Sequence, residues 1–150
     1  RGKGATMLLL GAILMTACHL IFALVPLTPL IAYSAIILLG ISFSLVPAAL
    51  WPSVPKLIEN RLLGSAYAVI FWIQNIGLMA FPIIIGWSLN VSNPGVAEQI
   101  KEGVEGAAYN YTVPMLIFSC LGIAAFLLGL WLKAQDRSKG YGLELPNIKK

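Results

Sequence analysis

The side chains best suited to bind a solute lie in one apolar segment, residues 63–89. Tyr67, Phe71 and Gln74 follow one another at intervals of four and three residues, so a helix places them on one face. Tyr67 and Gln74 offer hydrogen-bonding groups, while Phe71, or the adjacent Trp72, offers an aromatic wall. The pattern predicts that this face binds a small polar solute by hydrogen bonds without charge. The alternative is that the same polar groups only join one helix to another.

A second segment, residues 29–50, carries a related stripe of polar and small side chains. Tyr33, Gly40 and Ser44 recur at intervals of seven and four residues, which a helix brings to one side. We expect Tyr33 and Ser44 to line the same cavity. A packing seam is the competing interpretation, because small residues let two helices approach closely.

Further residues in these segments are predicted to serve helix packing or gating rather than solute binding. Asn75 follows Gln74 directly, and we expect it to hydrogen-bond another helix, because an unpartnered amide in hydrocarbon is costly. The remaining positions either bend a helix or allow close approach, and they are Gly40, Pro47, Pro82 and Gly86.

Groups that could perform catalysis are scarce. His19 is the only histidine, and it is predicted to be a hydrogen-bonded structural residue, with a proton-sensitive role as the alternative. Cys18 and Cys120 lie in apolar runs and fit packing roles. The sequence contains no phosphate-binding glycine loop, no metal-ligand spacing and no paired buried carboxylates. We therefore expect no enzymatic activity, no catalytic residue, no metal and no cofactor.

The composition indicates the elements that must position these residues. Of the 150 residues 59% are hydrophobic and 11% are charged, and the mean hydropathy is +0.86, which leaves too little polar surface for a soluble domain. Four apolar runs, residues 5–25, 29–50, 63–89 and 112–132, are long enough to cross a bilayer and contain no charged residue. The predicted class is an all-α, polytopic membrane protein with four transmembrane helices.

The positive charges predict the orientation of these helices. Basic residues flank the first run, separate the second from the third, and follow the fourth. The loop of residues 90–111 instead holds Glu98, Glu102 and Glu105 against Lys101. By the positive-inside rule both termini are predicted to be cytoplasmic, and nucleic acid is not an expected partner despite the net charge of +4.

Further expectations concern the outer loop, the residues after the fourth run and the membrane in which the protein lies. A short amphipathic helix, capped by Asn93 with Pro94 at its first position, is expected on the outer surface. Residues 134–150 are expected to form a flexible cytoplasmic tail. Asn90 and Asn110 begin glycosylation sequons that we expect to be unmodified, because the pattern is short and common. The expected location is a bacterial inner membrane rather than the membrane of a eukaryotic organelle.

The sequence resembles the last four helices, nine to twelve, of a major facilitator superfamily transporter. The opening RGKG is similar to the end of the basic, Gly-rich loop before the ninth helix of that family. The stretch LWPSVPKLIENRLLGSAYAVIFWIQNIGL resembles the branch of lysosomal dipeptide transporters in its LWP, LGSAY and IQNIGL segments.

This resemblance implies a twelve-helix fold whose two halves rock about a central cavity to give alternating access. It implies that the second and third helices of this chain line the cavity and that the first and fourth lie outside. The expected partners are a small-molecule solute, short peptides being the leading candidate, the lipid bilayer, and the other eight helices of the same transporter. Since residue 1 is Arg rather than Met, we expect the chain to be part of a longer one. The alternative function is a four-helix membrane scaffold or accessory subunit without transport of its own.

Overall fold

The computed structural model describes residues 2–146, so Arg1, Lys149 and Lys150, which contribute to the predicted charge pattern, lie outside the described residues. The elements are α1 (Gly4–Leu24), α2 (Pro29–Leu57), a single 3₁₀ turn (Asn60–Leu62), α3 (Leu63–Ser92), α4 (Val96–Lys101) and α5 (Thr112–Lys139). Four of these helices are long and apolar enough to cross a membrane, and the described residues contain no strand. The predicted all-α, polytopic membrane class is confirmed. Below, the inner end of the bundle is the end where α1 begins and α5 ends.

The second helix is longer than its apolar run indicates, because its prolines do not end it. The predicted apolar run ends at residue 50, before Pro52 and Pro55, but α2 continues to Leu57 with Pro47, Pro52 and Pro55 inside it. A proline removes one backbone hydrogen bond, and a membrane helix tolerates this loss where neighbouring groups satisfy the freed carbonyl. The extension places Trp51 within the helix instead of after it.

The core of the chain is α1, which packs against both α2 and α5. On the α2 side, the Ser42 hydroxyl donates to the Gly11 carbonyl (2.7 Å) and the Cys18 thiol donates to the Ala35 carbonyl (3.1 Å). On the α5 side, the buried Gly122 lies against Thr16, where a Cβ would overlap the threonine side chain. Small residues therefore bring the backbones together at both seams, as membrane helices require.

Residues 140–146, which follow α5, fold back onto the bundle instead of forming part of a flexible tail. Leu143 is 1% exposed, and its carbonyl accepts a hydrogen bond from the Gly4 amide at the start of α1 (2.9 Å). The buried Asp136 carboxylate accepts from the Leu143 amide (3.0 Å), and the Lys56 ammonium of α2 donates to the carbonyls of Gly142 (3.0 Å) and Leu145 (2.6 Å). Residues 140–146, called the C-terminal strap below, thus connect α1, α2 and α5.

The outer loop contains the predicted short helix in a different register. Helix α4 begins after Gly95, which has a positive φ of 77°, and not at Asn93. Asn93 is buried, and its side chain pairs with the backbone of Asn110, accepting from the amide (2.7 Å) and donating to the carbonyl (3.0 Å). This pair joins the end of α3 to the start of α5 and closes the loop between them.

Candidate functional site: a polar face on a loosely packed helix

Helix α3 carries most of the predicted site and makes few contacts with the rest of the described chain. Along its 30 residues only Ser88 is buried. It meets α5 and α2 at few points, whereas α1 packs closely on both of its neighbours. The helix is therefore held mainly at its two ends, by the Asn93–Asn110 pair outside and by an aromatic cluster inside.

The aromatic cluster consists of Trp51 of α2 and Tyr67 and Phe71 of α3. The rings of Trp51 and Phe71 stack with centroids 5.0 Å apart and an interplanar angle of 28°, and the Tyr67 ring lies 5.7 Å from that of Trp51. The Tyr67 hydroxyl donates to the Trp51 carbonyl at 3.3 Å. The structure thus brings two of the predicted site residues together on one partner.

Gln74 lies one turn further along α3, at a gap between α3 and α5. The gap has a volume of about 470 Å³, and its walls are mostly apolar, with Phe81 and Pro82 on one side and Phe118 and Leu121 on the other. Gln74 is exposed, and its side chain has no hydrogen-bond partner within residues 2–146. It therefore remains available to a group outside the described chain.

Asn75, Pro82 and Gly86 are also on α3. The Asn75 amide donates to the Phe71 carbonyl of its own helix (2.8 Å), so it does not use another helix of this chain as a partner. Pro82 lies inside the helix, which continues through it, and the space beside Gly86 is open in the described part of the chain. Their packing or gating roles stay predictions.

The predicted residues of α2 precede Trp51 along the helix, toward its outer end. Tyr33 is 67% exposed, and the exposed Ser44 donates to the Gly40 carbonyl one turn back (2.9 Å). The space beside Gly40 is open, and the half-buried Pro47 lies inside the helix. Within the described residues, neither Tyr33 nor Ser44 contacts the aromatic cluster, and the shared cavity stays a prediction.

His19 lies between α1 and α5. Its Nδ1 atom is 2.7 Å from the Met15 carbonyl oxygen, and its ring centroid is 5.2 Å from that of Phe118. These contacts agree with a structural imidazole, because a ring nitrogen that hydrogen-bonds its own helix needs no further polar partner. A proton-sensitive role for His19 stays a prediction.

Two features of this site were not predicted from the sequence. Trp51 was not among the predicted site residues, and Asn93 was assigned to a helix cap. A signal for Trp51 was present in Pro55, four residues later, because a proline leaves the carbonyl at i−4 without its helical donor. No comparable local signal marks the pairing of Asn93 with Asn110 across the loop.

The arrangement provides hydrogen bonding and aromatic contact but no reactive group. No cluster of His, Cys, Asp or Glu that could hold a metal ion occurs within the described part of the chain. The class of protein is therefore a polytopic membrane protein with four apolar helices. Its uncharged polar face serves binding or contacts between helices.

The particular relatives of the chain are membrane transporters. The sequence is 37% identical over 89 residues to the lysosomal dipeptide transporter MFSD1 of Bos taurus, which covers 59% of this chain and 18% of that protein. The identity is 37% over 90 residues for the Danio rerio protein of the same name (60% and 19%) and 36% over 89 residues for the Homo sapiens protein (59% and 18%). No family model and no solved structure matches the chain.

These similarities confirm the resemblance to the major facilitator superfamily and to the dipeptide transporter branch, since MFSD1 is a member of that superfamily. The match spans less than one fifth of the length of these relatives, which are transporters and not enzymes. The expected bacterial inner membrane is wrong: the relatives are lysosomal proteins of vertebrates, which points to an organelle membrane. The physical reason is that apolar span length and charge asymmetry follow the same rules in both membranes and do not distinguish them.

Proposed function

We propose that the chain is part of a transporter in an organelle membrane, and that the whole protein moves a small polar solute by alternating access. The proposed transport activity is that of the MFSD1 relatives, which align with 59% of this chain over 18% of their own length. The activity in the name of these relatives makes short peptides, and dipeptides in particular, the leading candidate solutes. The proposed orientation keeps both termini in the cytoplasm, and the basic residues Lys3, Lys56 and Lys133 near the inner end support it.

The observation that carries the proposal is the free amide of Gln74 on an exposed helix. An amide facing lipid without a partner is costly, so this side of α3 is expected to face protein or a water-filled cavity. Because the described helices leave α3 largely uncovered, the expected partners are the other eight helices of the transporter. Gln74 then offers one donor and one acceptor direction to a solute, and Tyr67 adds a hydroxyl on the same face.

The test compares two adjacent amides of α3 in the intact transporter. With the full protein reconstituted in liposomes, Gln74→Ala is expected to raise the KM for uptake of a labelled dipeptide by roughly tenfold, as the loss of one solute hydrogen bond allows. Asn75→Ala is the matched control, since its side chain already bonds the Phe71 carbonyl, and a change of less than about twofold is expected. Equal effects of both variants, or an unchanged KM in Gln74→Ala, would show that Gln74 does not bind the solute.

A further inference from the structure

Pro55 leaves one backbone acceptor of α2 without its helical donor. In an α-helix the amide of residue i donates to the carbonyl of residue i−4, so the carbonyl of Trp51 would be paired with the amide of residue 55. Proline has no amide hydrogen, and Pro55 lies inside α2. A carbonyl that has lost its helical donor can accept a hydrogen bond from a side chain or from water.

Tyr67 of α3 supplies such a side chain. Its hydroxyl donates to the Trp51 carbonyl at 3.3 Å, and the Trp51 ring covers Phe71 one turn further along the same helix. The hydrogen bond is longer than the typical O–H···O distance of about 2.7–2.8 Å, so it is weaker than an optimal one and easier to break. The contact therefore combines one directional bond with two ring contacts.

The two ends of α3 are held in different ways. At the outer end, the buried Asn93 side chain makes two hydrogen bonds of 2.7 and 3.0 Å to the backbone of Asn110. At the inner end, the aromatic cluster joins α2 to α3. Motion of α3 away from α2 is thus expected to break the aromatic cluster, whereas the Asn93–Asn110 pair, which joins α3 to α5, can stay closed.

We propose that Pro55 and Trp51 are positioning residues, which hold the inner half of α3 against α2 through the Tyr67 hydroxyl. The contact between α2 and α3 does not depend on the proposed transport function. Only its part in the transport cycle does, and there the release of Tyr67 accompanies opening of the inner end. Pro55 touches no solute; it acts by keeping the Trp51 carbonyl available. Tyr67 is held by α2 in the structure described and becomes free to meet a solute when the contact opens.

The test measures the separation of the inner ends of α2 and α3 in the intact transporter without solute. Spin labels attached at Ala48→Cys and Ala68→Cys, both exposed positions, report this distance in a background in which Cys18→Ser, Cys120→Ser and serine at every other cysteine of the intact protein remove the native thiols. Tyr67→Phe removes the donor, and Pro55→Ala returns a helical donor to the Trp51 carbonyl, so each is expected to raise the ratio of separated to closed conformers by about fivefold. The double variant is expected to match either single one, because both remove the same bond.

Two further variants separate this bond from general effects of proline and of packing. Pro47→Ala also removes a proline from α2, but the Phe43 carbonyl that Pro47 frees accepts no side-chain hydrogen bond among the described residues, so the distance should not change. Trp51→Phe and Trp51→Ala both keep the backbone carbonyl, so the additional loss of closed conformers in Trp51→Ala measures the ring stacking on Phe71 alone, and Trp51→Phe is expected to retain most of the closed population.

Additive effects of Tyr67→Phe and Pro55→Ala, or no effect of Pro55→Ala on the distance, would overturn the inference. If Pro55→Ala does not fold, the comparison of Trp51→Phe with Trp51→Ala still decides whether the cluster holds α3. The distance between α2 and α3 is measured without solute. If the intact protein transports no solute, the proposed function is refuted, but the role of Pro55 and Trp51 in holding α3 is not affected. The role in the cycle is tested separately: Pro55→Ala is expected to change kcat for uptake with little change in KM, whereas Gln74→Ala changes KM.

Discussion

Gly122 lies against Thr16 where α5 crosses α1, and a Cβ at this position would overlap the threonine hydroxyl. Gly129, two turns later, lies in the same way against Leu9. In an exposed helix, replacing glycine by alanine normally stabilises the fold by up to about 1 kcal/mol, because alanine loses less backbone entropy. Here the close approach of two backbones reverses the expected sign.

Gly122→Ala is accordingly expected to destabilise the intact protein by about 1–3 kcal/mol, the usual cost of overpacking a filled site. The measurement is the unfolding of the purified intact protein in detergent, induced by heat or by denaturant. Ala124→Leu is the control, since it enlarges an exposed side chain on the same helix and should change stability by less than about 0.5 kcal/mol. A stabilised Gly122→Ala would show that α1 and α5 are further apart than the structure has them.

At the scale of elements, the C-terminal strap joins α5 to α1 and α2, which come much earlier in the sequence. Glu144 accepts hydrogen bonds from the amide and the hydroxyl of Thr6, both at 2.9 Å, and the Lys133 ammonium donates to the same hydroxyl at 2.8 Å. Together with the burial of Leu143, these bonds fix the inner ends of α1, α2 and α5 relative to one another. Helix α3 is outside this group of contacts.

Removal of the Leu143 side chain tests the strap. Leu143→Ala is expected to cost about 2–5 kcal/mol locally, because it leaves a cavity at a fully buried position. Hydrogen exchange should then speed up at residues 4–10 and 50–57, while α3 exchanges as before. Leu145→Ala is the matched control, because Leu145 is 64% exposed and its carbonyl bond to Lys56 does not need the side chain. Equal protection in Leu143→Ala and the parent protein would mean that the strap is not bound.

At the scale of the whole molecule, charge is separated between the two ends of the bundle. Lys3, Lys56 and Lys133 lie near the inner end, and the outer loop carries Glu98, Glu102 and the neighbouring Glu105. Such a separation favours insertion with the basic end in the cytoplasm. The proposed organelle location then puts the acidic loop in the lumen.

This orientation predicts which thiols can be labelled from each side. In a background with Cys18→Ser and Cys120→Ser, and with the organelles kept intact after permeabilisation of the plasma membrane, a membrane-impermeant maleimide should label Ser138→Cys. The same reagent should reach Gln99→Cys, in α4, only after detergent dissolves the organelle membrane; both positions are exposed. Labelling of Gln99→Cys before that step would reverse the proposed topology.

The number of spans, the class of the protein and the placement of charge were determined by the sequence itself. These properties depend on local composition: a run of about 20 apolar residues must be a spanning helix, whatever it packs against. The shared face of Tyr67, Phe71 and Gln74 likewise follows from their spacing and the helical period, and all three lie on α3 in the structure.

Only the tertiary structure decided what these residues touch. The partner of the Tyr67 hydroxyl is a backbone carbonyl in another helix, the strap is buried against residues more than one hundred positions earlier, and Asn93 bonds across a loop instead of capping a helix. None of these contacts follows from a local pattern, because each depends on how helices far apart in sequence approach one another. The sequence therefore predicts which residues form the polar face of α3. It does not predict that this face contacts Trp51, because that contact requires α2 to continue through Pro52 and Pro55.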